Sequence, residues 1–137
     1  MLIAGIDLSG PVNCHDTVMV AFEGREGALA CTHVIEGADD LTILRALEGG
    51  PWVVGIDAPL SYPQGGGDRP ADRALREHLK ALGIRGPRVI SPLQTRMAYL
   101  TLRGIALTRL LTLFLRPSPA MVETHSGAAM ALRGAFS

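Results

Sequence analysis

Aromatic residues are scarce in this sequence: one Trp, two Tyr and three Phe among 137 residues. Trp52 and Phe22 lie inside apolar, strand-like runs, which argues against a platform of exposed rings on which bases could stack. Cysteine is scarcer still. Cys14 and Cys31 cannot build a disulfide framework. A zinc site made of Cys14, His15, Cys31 and His33 fails on distance. If 24–27 closes a hairpin, Cys31 faces about Val20, and Cys14 lies some six residues beyond, roughly 20 Å away. No uninterrupted apolar run is long enough for a bilayer: 98–115 is broken by Arg103 and Arg109. No basic segment precedes an apolar run at the N-terminus, so the expectation is a cytoplasmic protein without signal peptide or membrane contact.

What is present describes a globular chain. Hydrophobic residues make up 47% and charged residues 19%, and the length suits a single domain over 1–137 with a core of its own. The net charge is zero, yet residues 1–57 carry −7 and residues 58–137 carry +7. That division has two readings, an anionic partner for the basic half or mutual neutralisation of the halves on folding.

Residues 2–8 (LIAGIDL) read as a buried strand stopped by Ser-Gly-Pro. Residues 16–23 and 28–35 flank GREG as an antiparallel hairpin, with Val18, Val20 and Phe22 on one face together with Leu29, Cys31 and His33. Asp39 or Asp40 caps a short helix that Gly49-Gly50-Pro51 ends. WVVGID (52–57) is the fourth strand. The spacing predicts a helix from about 70 to 82, with Ala71, Leu75, His78 and Leu82 on its apolar face. A longer helix over 95–115 follows, with Met97, Leu100, Gly104, Leu107, Leu111 and Phe114 inside and Arg96 and Arg103 outside. Its remaining faces are also apolar, which suggests a second buried side: the rest of the monomer or a homo-oligomer contact. AMVETH (120–125) is a last strand, and a small-residue helix begins at Gly127. This order of elements gives an α/β fold, a mixed five-stranded sheet with helices packed on it.

Three strands end on an acid: Asp7, Asp57 and Glu123. Strand carboxyl ends are where ligands gather in such sheets. Carboxylates brought together there raise one another's pKa or share a cation. With no patterned Cys or His, the donor set suits Mg²⁺ or Mn²⁺. The competing reading makes each acid a turn former or helix cap.

The ordered pieces GIDLSG, VVGIDAPL, RPADRALR and VETHSGAA resemble the DUF429 family of uncharacterised proteins, described as predicted nucleases with an RNase H-like fold, from Gly5 to about Leu132. The resemblance implies an RNase H-like domain with Asp7 on a central strand, Asp57 on its neighbour, and Glu123 as the late acidic residue. These three would be catalytic and hold the metal. Arg69, Asp72, Arg73, Arg76 and His125 would line the site and meet phosphate, for which the arginine fork is suited. Family members commonly carry Pro where this chain has Ser126, and continue beyond the equivalent of Ser137 with a helix bearing further acidic residues. The expected function is hydrolysis of nucleic acid by two metal ions. Two other readings stand beside it: a phosphotransferase or ATPase of related architecture, although Gly65-Gly66-Gly67 lacks the Lys-Ser/Thr of a P-loop, and a non-catalytic module binding nucleic acid or protein.

Overall fold

The computed structural model describes residues 1–134. Its sheet grows around β1 (Leu2–Asp7), which has a partner on each side: antiparallel β2 (Val18–Arg25) and parallel β4 (Trp52–Ile56). β3 (Ala28–Glu36) extends the antiparallel side and β5 (Ala120–Glu123) the parallel side, giving the order β3-β2-β1-β4-β5. This is the mixed five-stranded α/β sheet that the alternation of elements predicts. A 3₁₀ turn, Cys14–Asp16, precedes β2 and had no periodic signal to announce it.

The hairpin corrects one expectation. Its turn is Glu26-Gly27, both at positive φ (46° and 83°), the backbone that a two-residue hairpin loop favours. The strands therefore run to Arg25↔Ala28, and an irregularity at Ala21/Phe22 sets Cys31 opposite Phe22 while Val20 meets Val34. The buried side of β2 is Met19 and Ala21, not Val18, Val20 and Phe22. His33 stands opposite Ala21 on the edge strand and is exposed. VMVAF is apolar at every position, so composition could not tell its two faces apart; a shift of one residue exchanges them.

The core lies on one face of the sheet. Ala4, Ile6, Met19, Val54 and Ile56 supply the strand side, and Ile43, Leu47, Leu107 and Leu111 cover them. These covering residues come from α1 (Asp40–Ala46) with its C-cap and from α3 (Thr95–Phe114). On the opposite face Val34 and Val122 are exposed, and the buried core includes none of Ile3, Val18, Val20, Phe22 or Val53. α1 starts where the side chain of Asp39 accepts from the Thr42 N–H at 2.8 Å, which holds that carboxyl below its ordinary pKa.

α3 is long and apolar enough to cross a membrane by length and composition alone, and most of it is not buried in the fold. Its buried stripe is Thr101, Arg103, Gly104, Leu107 and Leu111. Arg103 is thus inside, only 4% exposed, against the expectation that it faces water. Phe114, expected inside, is exposed, as are Tyr99, Leu102 and Leu113. Charge alone does not place a residue. Arg103 stays in because each arm of its guanidinium finds an acceptor: Asp40 Oδ1 at 2.9 Å, Ser9 O at 2.9 Å, Thr17 Oγ1 at 2.7 Å and Ala38 O at 3.2 Å.

Gly104 brings α3 onto the loop that leaves β4. A Cβ there would lie 2.7 Å from Pro59 O and 3.3 Å from the Ala58 Cβ. Alanine in place of glycine favours a helix by about 1 kcal/mol, and overpacking against fixed backbone costs about 1–3 kcal/mol. The second effect should win. Gly104→Ala is expected to lower the urea midpoint; an unchanged or raised midpoint would show that the loop yields freely.

α2 (Pro70–Ala81) packs through Asp72, Leu75 and Leu79, with Ala71, His78 and Leu82 exposed. The expected apolar face is therefore displaced by about one position. The cause is Asp72, which is drawn inward by Arg69.

Candidate functional site

β1 and β4 repeat Gly-Ile-Asp, and the sheet lays the two copies side by side. Gly5 pairs with Gly55 and Ile6 with Ile56. The Asp57 N–H then donates to Ile6 O at 2.9 Å, carrying the ladder one residue past β4. Asp7 and Asp57 are in consequence lateral neighbours on strands that lie about 4.8 Å apart, and their side chains leave the same face. No basic side chain bonds to either carboxylate among the described residues. Partial burial, then the Asp57 charge, pushes the Asp7 carboxyl above its ordinary range.

Asp57 has one further partner. Ser126, the first residue of α4 (Ser126–Leu132), donates its Oγ–H to Asp57 Oδ2. Sequence reasoning saw Ser126 only as a departure from family usage. The structure gives it a position: Thr124 N donates to Ile56 O at 2.9 Å, so the chain leaving β5 is still tied to β4 when it reaches Ser126.

Glu123 does not join the pair. It stands opposite Ile56, one residue out of step with Asp57, and alternation sends it to the other face. There Arg69 holds it at 2.5 Å and 2.7 Å, and the Leu60 N–H donates to it at 2.9 Å. The same guanidinium holds Asp72 at 2.6 Å and 2.7 Å, so Arg69 is clamped between two carboxylates and kept firmly protonated. Glu123, Arg69 and Asp72 thereby fasten β5, the loop after β4 and α2 to one another. Among the described residues no three His, Cys, Asp or Glu side chains gather as a metal site; the three acids share an edge of the sheet but not a face.

The other expected site residues divide in the same way. Arg76 is taken by Asp68, at 2.7 Å and 3.1 Å, and by Val89 O. Asp68 also accepts from Ser91 Oγ and is held well below the ordinary carboxylate range by these two partners. The Arg73 residue is exposed, and its side chain has no hydrogen bond or ion pair among the described residues. In His125, Nδ1 accepts from the Ala128 N–H at 3.2 Å and Nε2 lies 3.2 Å from Arg88 O. The first contact requires Nδ1 to be unprotonated, so Nε2 carries the hydrogen and donates it. His125 caps α4 and ties it to the loop at Arg88. A cleft of about 920 Å³ runs between these groups, with Asp57, Arg69, Arg88, Glu123 and His125 in its walls.

The raised Asp7 pKa has a consequence for stability. A carboxyl whose folded pKa exceeds its unfolded value makes folding less favourable as pH rises from the ordinary range, near 3.8, through the raised value. Asp7→Asn removes that penalty. It should raise the melting temperature of metal-free protein at neutral pH, with the gain vanishing in acid below that range. If the pair takes a divalent cation, the same variant should also lose any rise in melting temperature that Mg²⁺ or Mn²⁺ gives the parent. A variant less stable than its parent at neutral pH would mean that neither burial nor the Asp57 charge penalises the ionised Asp7.

No protein of curated function matches the sequence, and no solved structure does. A family model does, over residues 5–130, described as a protein of unknown function. That span takes in both Gly-Ile-Asp strands, Glu123 and His125, and on that match the chain belongs to the DUF429 family.

Proposed function

We propose that the protein is a divalent-cation-dependent hydrolase of phosphodiester bonds in nucleic acid, built on an RNase H-like sheet. The observation that carries this reading is the Asp7–Asp57 pair, two lateral carboxylates without a basic partner, one of them with its pKa raised. Such a pair is destabilising unless something positive sits between its members. The carboxylates of Asp7 and Asp57 fit Mg²⁺ or Mn²⁺, which commonly take one or two carboxylates and complete their shell with water and substrate phosphate. With Glu123 held by Arg69, the donors support one cation in place of the two that the family resemblance implies.

When bound, the cation would polarise a phosphate oxygen and lower the pKa of a water. The chain's own residues do the rest. Asp7 and Asp57 fix the position of positive charge at the end of the central strands. Ser126 orients Asp57 through its hydrogen bond. The strand order, with β1 flanked by antiparallel β2 and parallel β4, supports the RNase H-like reading. The basic balance of residues 58–137 supports a polyanionic substrate.

The test is direct. Purified protein is incubated with end-labelled DNA and RNA, single- and double-stranded, with Mg²⁺, with Mn²⁺ and with EDTA. Cleavage that requires the cation is expected. Failure to cleave every one of these substrates with either ion overturns the proposal.

A further inference from the structure

Beside the cleft at Asp57 lies a second one, of about 940 Å³, between the Gly66-Gly67 turn, α2 and the loop that leads into α3. Four charged residues line it: Asp68, Arg76, Arg88 and Arg96. Two of them cancel. Asp68 and Arg76 form a two-bond ion pair, with Val89 O and Ser91 Oγ using their remaining capacity. Arg88 and Arg96 are left over. Among the described residues neither guanidinium has a hydrogen bond or an ion pair, and both are exposed. α3 opens at this rim with no acidic residue in its first turn, so nothing local neutralises Arg96, which also stands at the positive end of a 20-residue helix.

The two clefts adjoin. Arg88, Val89 and Ile90 line both, and the Arg88 carbonyl is the one held by His125. A path therefore leads from Asp57 over Arg88 to Arg96. A lone phosphate could use one of these arginines. A linear polyanion could use both while keeping one of its linkages at Asp57.

We propose that this second cleft binds the phosphates of a single nucleic-acid strand to one side of the linkage at Asp7–Asp57, through Arg88 and Arg96. The inference rests on the proposed nuclease reading and names arginines other than those that the family resemblance implies. Arg69 and Arg76 already spend their forks on carboxylates. Arg88 and Arg96 have theirs free, and a free fork can grip phosphate without first giving up an internal partner.

The experiment is binding without chemistry: anisotropy of a fluorescent single-stranded oligonucleotide in EDTA, over a range of salt, with the parent, Arg88→Ala, Arg96→Ala and the double variant. Each substitution should weaken binding about tenfold, the loss of one charge-assisted hydrogen bond. The double variant should flatten the dependence of log affinity on log salt by about 1.4, as two lost contacts to a single strand require. Melting temperatures of the variants should not fall below the parent's, since neither side chain has an internal partner and Arg96 stands at the positive end of α3.

Parent-like binding by the double variant overturns the inference, and if cation-dependent cleavage is intact the nuclease reading stands without it. Loss of binding in the double variant upholds the inference even where no cleavage is found, which would separate it from the failure of that reading. A mononucleotide that competes as well as the oligonucleotide at equal phosphate concentration would reduce the cleft to a site for one phosphate and overturn the strand. No oligonucleotide binding by the parent overturns the inference outright.

Discussion

Asp57→Asn should remove cation-dependent cleavage while leaving the protein folded. The substitution keeps the shape of the side chain, and the amide oxygen can still accept from the Ser126 hydroxyl. What it removes is one of the two negative charges at the ends of β1 and β4. A residue one shell out from a metal costs about 10–100-fold in affinity or activity when it is lost. Loss of a ligand itself should exceed that range, and with Asp7 the only carboxylate left, activity should fall below detection. Ser126→Ala, which touches the pair only through Asp57 Oδ2, belongs inside the range. The order is the useful part of the result: Asp57→Asn worse than Ser126→Ala, both with circular dichroism and melting close to the parent's. If Glu123→Gln proved as damaging to cleavage as Asp57→Asn while equally folded, the assignment of Glu123 to the clamp around Arg69 would be wrong. Equal loss in Asp57→Asn and Ser126→Ala would mean that the hydroxyl is itself essential.

The site was legible in the sequence to the extent that the twin Gly-Ile-Asp could be seen. Two short apolar strands with the same ending are natural lateral partners, and the structure pairs them in register. Glu123 was beyond reach of the same reasoning, because its face depends on the register of β5 against β4, a relation between residues about 67 positions apart along the chain. Ending a strand on an acid fixes the edge of the sheet where the acid lies but leaves the face open. The pairing of the arginines at and along α2 is hidden from the sequence for a related reason. Spacing shows that they lie on a helix face, whereas their freedom depends on which carboxylates the fold brings near, and Asp72, Glu123 and Asp68 consume two of them. Arg103 did leave a trace. It sits four residues before Leu107 and eight before Leu111, in step with the buried stripe, and the habit of sending charge to solvent overrode the period.

Arg103→Met should be the most destabilising of the substitutions considered. Methionine retains much of the aliphatic stem, so the change isolates the guanidinium. Its loss leaves Ser9 O and Ala38 O without that donor, and leaves Thr17 Oγ1, on a fully buried residue, with only its bonds to Ser9. Removing one partner of a buried ion pair typically costs about 3–5 kcal/mol. Asp40 is 38% exposed on its side chain and can turn to water, which argues for the lower end. The orphaned acceptors, at about 1–3 kcal/mol each where water cannot reach them, are part of that cost and not an addition to it. A total near 3 kcal/mol is expected, a large share of the roughly 5–15 kcal/mol that holds a typical domain together, and it should appear as a fall of about 10 °C in melting temperature. Arg103→Lys should recover little, because a single ammonium cannot span Asp40, Ser9 and Ala38 from one position. The loss should also reach the acids. Arg103 grips Ser9, two residues beyond Asp7, and Ser9 N in turn bonds Thr17; without that grip the turn leaving β1 loses its anchor. Stabilisation by Mn²⁺ should therefore weaken in Arg103→Met even at temperatures where the variant is folded. A variant as stable as the parent would mean that well-packed sulfur and methylene compensate for the whole network, as apolar replacements of buried ion pairs sometimes do, and would leave Arg103 with a role at the Asp7 turn alone.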